Sequence, residues 1–97
     1  DVAIIEREKF PRFHIGESLL PASMPIYKEM GFYLKLAEGK YIEKYGARFI
    51  DYANDDEIYF GFNDGLNADI PMAFEVERAE FDKDILAHAA SLGTTVY

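Results

Sequence analysis

The chain has 97 residues, 49% of them hydrophobic and 15% aromatic, enough for one small core and too apolar for a disordered segment. Eighteen acids against ten cations give a formal net charge of −8, which argues against a general nucleic-acid binder or a partner for anionic membranes. There are no cysteines, so disulfides and thiolate metal sites are excluded, and no apolar run approaches the roughly 18 residues of a membrane span.

Val2 to Ile5 is a short β-branched run, expected to form a parallel strand buried on both faces. Asp1 to Arg7 carries no signal-peptide pattern, so a cytoplasmic location is the default expectation. Phe10 to Gly16 is restrained by Pro11 and freed at Gly16, which predicts an ordered loop. Ser18 is a candidate N-cap for a helix that ends with Gly31 as its C′ residue. Pro21 suits a first turn, whereas Pro25 predicts either a kink or a later helix start. Tyr33 to Glu38 allows one more helical turn.

Ala47–Tyr52 and Glu57–Phe62 read as an antiparallel hairpin across Asn54-Asp55-Asp56. Asn63-Asp64-Gly65 predicts a turn, 67–71 a loop and Ala73–Glu77 a third strand. The clearest helix is expected from Ala79 to Leu92. Phe81, Ile85, Ala89 and Leu92 share its stripe, Glu80 and Asp82 sit near its positive end, and Gly93 stops it. Thr94 to Tyr97 begins another strand. The sum is an α/β pattern (α+β within the segment) with an antiparallel insertion and no linker, taken as one unit over 1–97. The chain lacks an initiator Met and opens and closes on strands, so both ends are expected to be cuts through a larger fold.

Chemistry on these grounds alone stays open. In dinucleotide-binding folds an acid at the end of a strand, as at Glu6, accepts hydrogen bonds from ribose hydroxyls; it is also a common solvated strand end. In His14-Ile15-Gly16-Glu17-Ser18, Gly16 permits close backbone approach to a ligand, and the expected helix start offers N–H groups to an electron-rich group. Arg12 and His14 add donors. The plain alternative is a capped helix with Glu17 exposed. His14 and His88 are too few and too distant in sequence for a metal site, and no serine has a nucleophile-elbow context. Asp55, Asp56 and Glu57 read as a solvated turn. Phe49, Tyr52, Tyr59, Phe60 and Phe62 read as core and cross-strand packing. Lys44, ahead of a strand, and Arg78, ahead of the last helix, read as surface charges.

Three motifs change that balance: Glu6-Arg7 through Phe10-Pro11-Arg12 to His14-Ile15-Gly16-Glu17-Ser18-Leu19-Leu20-Pro21; Lys44-Tyr45-Gly46-Ala47-Arg48-Phe49; and Val76 to Asp82 with Gly93. In this order and spacing the chain resembles the flavin-dependent halogenases, the tryptophan-halogenase-like branch of the FAD-dependent monooxygenases. The resemblance implies a piece of a glutathione-reductase-type Rossmann FAD-binding domain, its glycine-rich loop upstream and its remaining strands downstream. It implies FAD as cofactor, with halide, oxygen and an aromatic small molecule as reactants and a separate flavin reductase as partner. Glu6 matches the acid on the FAD ribose, and Arg7 a neighbour on the adenine side. Pro11 to Ser18, including Arg12, Gly16, Glu17 and Ser18, matches the strap linking the flavin and substrate sites. Lys44 matches the lysine that meets the hypohalous acid, and Arg78 the arginine that starts the helix beside the flavin. Such a segment alone is expected neither to hold FAD tightly nor to turn over. Two alternatives stand beside this expectation: an FAD-dependent hydroxylase or prenyl-chain reductase of the same fold, and a non-catalytic acidic interaction module.

Overall fold

A computed structural model describes residues 1–65 and 70–97. The elements in chain order are β1 (Ala3–Ile4), a 3-10 turn (Pro21–Ser23), α1 (Met24–Glu29), α2 (Tyr33–Ala37), β2 (Ile42–Lys44), β3 (Gly46–Asp51), β4 (Asp56–Gly61), a second 3-10 turn (Phe62–Asp64), β5 (Ala73–Glu75), α3 (Arg78–Ser91) and β6 (Thr95–Val96). Most of the loop expected over 67–71 lies outside the described residues. The chain divides into two compact units, one of Asp1–Glu17 with Val76–Tyr97 and one of Ser18–Glu75.

In the first unit β1 pairs with β6 in parallel, Ala3 opposite Thr95 and Ile4 opposite Val96. Parallel neighbours need a crossover, and α3 supplies the helix that leads into β6. The ladder continues as the Glu6 N–H donates to the Tyr97 carbonyl at 2.9 Å. The run from Val2 to Ile5 is not buried on both faces as expected: within β1 Ala3 is exposed and Ile4 half-buried, and the flanking Val2 and Ile5 are 68% and 89% exposed. Its β-branched composition suits a central strand, but among the described residues β6 is its only pairing partner. α3 starts at Arg78 because Glu77 is still extended, and it stops before Gly93, whose φ of +97° an L-side chain resists. Phe81 is buried, whereas Leu92 is exposed, so the stripe is shorter than predicted.

In the second unit the expected helix from Ser18 is replaced by extended chain. Ser18 forms a β-bridge with Glu75, and the Leu19 N–H donates to the Phe74 carbonyl at 3.0 Å. The Leu19 N–H, one of the donors expected to be free at a helix start, is thus used by a strand. Helix begins only at α1, where Pro25 falls in the first turn and its missing N–H costs nothing. Gly31, at φ +71°, follows the C-cap Met30 as predicted. Met24, Phe32, Leu36 and Phe74 are fully buried and carry the core, each contributing about 1.5–3 kcal/mol of burial. β2 pairs antiparallel with β5, setting Lys44 opposite Ala73. Three residues, Ile-Glu-Lys, are too few to show an alternation, and β2 was not anticipated.

The hairpin is present, with β3 and β4 paired from Gly46↔Gly61 to Asp51↔Asp56. Gly46 is obligatory: a Cβ there would collide with the Phe60 carbonyl and the Tyr59 ring. The aromatics do pair across the strands, Phe49 edge-on to Phe60 at 5.8 Å between centroids. They do not form core, since Phe49, Tyr59 and Phe60 are each more than half exposed.

At the hairpin end the Asp51 carboxylate accepts from the Asn54 side chain at 2.7 Å and the Ala53 N–H at 2.9 Å. These bonds, the Asn54 one foremost, hold the Asp51 carboxyl below its usual range. A carboxylate favoured in the folded state stabilises above its unfolded pKa, and that contribution fades as pH falls through the lowered folded value. Asp51→Ala is expected to lower stability at neutral pH, with the gap to the parent closing below about pH 4, as read by urea unfolding across a pH series.

Candidate functional site

The first unit builds a polar site around α3. Arg78 and Asp82 stand one turn apart, and the guanidinium grips the carboxylate as a fork, Nε to Oδ1 at 2.7 Å and Nη2 to Oδ2 at 3.0 Å. Arg12 approaches from the loop and donates Nη1 to the same Oδ2 at 3.0 Å. Its Nη2 lies 3.9 Å from Glu6 Oε2, while Glu6 Oε1 accepts the Glu8 N–H at 2.8 Å. The third nitrogen of Arg78, Nη1, donates to the Ile15 carbonyl at 2.8 Å and the Gly16 carbonyl at 3.4 Å. Gly16 has a φ of +99°, and a Cβ on it would stand 3.1 Å from Arg78 Nη1. The Glu17 carbonyl then accepts the Val76 N–H at 2.7 Å. Glu6, Arg7, Glu8, Arg12, Phe13 and His14 line a cleft of about 390 Å³.

The second unit positions Lys44. It ends β2, and its ammonium donates to Ser18 Oγ. Glu75 Oε2 lies 3.7 Å away and the Phe62 ring centroid 6.0 Å away. The Lys44 side chain is only 24% exposed, so it is no ordinary surface charge. Two pairings bring these groups together: Ser18 bridges Glu75, and Lys44 sits across from Ala73 two residues earlier.

Glu6, Arg7 and Arg12 therefore share one cleft, Gly16 lies against Arg78, and Ser18 meets Lys44. The Glu17 side chain is exposed, and that residue contributes a carbonyl to the backbone ladder. Asp82 had been expected only as a favourable charge near the helix start. It is instead buried between two arginines, and the i,i+4 spacing to Arg78 was the available signal.

No protein-family model matches the chain. The flavin-dependent halogenase armH4 of Armillaria mellea is 37% identical over 99 residues, a match covering 99% of this chain and 19% of that protein. The solved flavin-dependent halogenase CmlS superposes with a TM-score of 0.89 at 38% identity, over 100% of this chain and 18% of its own. The chain is a homologue of the flavin-dependent halogenases. A flavoprotein/dehydrogenase from Cytophaga hutchinsonii also superposes, with a TM-score of 0.87 at 36% identity, over 99% of this chain and 23% of its own. This halogenase homologue thus spans about a fifth of the length of its relatives. Its mixed helices and strands superpose on these proteins and are consistent with a Rossmann-type FAD-binding segment.

Gly16→Ala forces a side chain into a left-handed conformation and against Arg78. It is expected to cost about 1–2 kcal/mol in urea unfolding of the protein.

Proposed function

We propose that the protein carrying this segment is an FAD-dependent halogenase that uses reduced flavin, oxygen and halide to halogenate an aromatic small molecule. The observation that carries this is Lys44, held by Ser18 beside Glu75 in a chain homologous to halogenases. The cleft of the first unit fits the ribose end of FAD by its donor set. Glu6 offers a carboxylate to sugar hydroxyls, and Arg7 and Arg12 offer positive charge to an anionic ligand. Bound and reduced, FAD supplies the oxygen activation that turns halide into an electrophilic oxidant.

The residues of this chain do the holding and aiming. Glu6 accepts from the ribose diol. The Lys44 ammonium donates a hydrogen bond to the oxidant and directs its halogen toward the substrate ring. Ser18 Oγ, by accepting from Nζ, restricts the lysine to one rotamer, and Glu75 balances its charge. Reducing equivalents come from a separate flavin reductase in the cytoplasm. Among the described residues no helix is long and apolar enough to cross a membrane. A second reading, an FAD-dependent hydroxylase or reductase, is favoured by the likeness to the Cytophaga flavoprotein/dehydrogenase.

Lys44→Ala in the complete polypeptide is expected to leave flavin reduction and peroxide release intact and to abolish halogenated product by mass spectrometry. Retained halogenation removes the lysine from the chemistry, and a hydroxylated product from the parent protein selects the second reading. Glu6→Ala is expected to weaken FAD binding by about 1–3 kcal/mol in a fluorescence titration, as for a lost charge-assisted pair.

A further inference from the structure

We propose that Asp82 is a positioning residue: its carboxylate holds Arg12 off Glu6 and, through Arg78, fixes loop residues 12–16 at the rim of the cleft. This rests on the reading that the cleft takes the ribose end of FAD.

Asp82 is buried, with its side chain 10% exposed, and a buried carboxylate is tolerated only where donors replace its water. Here three charge-assisted bonds do so. Two come from Arg78 on the same helix, and one comes from Arg12, 70 residues away in sequence. Because Arg78 and Asp82 share a rigid helix face, their fork is preformed, and the loop docks onto it. Each of the three Arg78 guanidinium nitrogens has a protein acceptor, including the carbonyls of Ile15 and Gly16. Arg78 thereby acts as a clamp on the loop.

Arg12 is the point where the clamp meets the cleft. It is shared between two carboxylates, at 3.0 Å from Asp82 and 3.9 Å from Glu6. The shorter bond decides where it rests. With Asp82 neutralised, the guanidinium has Glu6 as its one remaining charged partner among the described residues and closes onto it. The acceptor a ribose diol would use is then occupied by the protein's own arginine. The function of Asp82 is to prevent that collapse.

The test uses the complete polypeptide and two readouts. In FAD titrations, Asp82→Asn is expected to raise the dissociation constant about tenfold in the parent background and less than twofold in Arg12→Gln. An equal loss in both backgrounds overturns the coupling, because general loosening of the helix does not depend on Arg12. In cofactor-free protein, amide hydrogen exchange over residues 12–17 is expected to rise severalfold in Asp82→Asn, and unchanged exchange overturns the clamp. Should Asp82→Asn fail to fold, Arg78→Lys, which loses the fork but keeps the charge, is expected to raise the same exchange, and unchanged exchange in it overturns the clamp. A parent protein that takes up no FAD sinks the functional reading by itself, and the exchange result still judges the clamp.

Discussion

A buried carboxylate between two guanidinium groups is the constraint on which the first unit depends. Removing the carboxylate leaves two guanidinium groups facing each other, and removing an arginine takes away donors that replace the water of a carboxylate whose side chain is 10% exposed. That property makes Asp82 a strict organiser of its surroundings. A loop with a glycine at φ +99° and little regular structure has no ladder of its own to hold it. It takes its shape from the helix, through Arg78 to two carbonyls and through Arg12 to the carboxylate.

The second unit solves its positioning problem with backbone. Lys44 and Ser18 are 26 residues apart, with two helices between them. They meet because β5 is a common neighbour: Glu75 bridges Ser18, and Ala73 faces Lys44. Strand pairing fixes side-chain direction to within one face, so an ammonium placed this way is aimed without a network of its own. Phe32, Leu36, Met24 and Phe74 are the largest fully buried side chains, and Phe74 belongs to that same strand.

Local chemistry made much of this fold readable. Gly31 and Gly93 end their helices because their backbones turn left-handed, and the acidic turn at Asn54 and Asp55 separates two β-branched and aromatic runs. Where the sequence misled, distant partners had overruled local preference. Ser18 has the side chain of an N-cap, yet Glu75 and Phe74 recruit its neighbourhood into a sheet. β2 is three residues long and becomes a strand through β5. Asp82 looked like a dipole partner, and only the fold brings Arg12 to it. Family likeness is what singled out Glu6, Gly16, Lys44 and Arg78, whereas composition alone marks them as ordinary charges and a turn.

The β3–β4 ribbon carries a consequence for how copies of the chain behave in solution. Phe49, Ile58, Tyr59 and Phe60 are largely exposed on it, and among the described residues neither strand pairs beyond the other. Such ribbons invite stacking into longer sheets. The tip opposes this: Asp51, Asp55, Asp56 and Glu57 crowd one end, so a second ribbon adding in matching orientation sets like charges side by side. Like charges at that end disfavour such an addition, and added salt screens them.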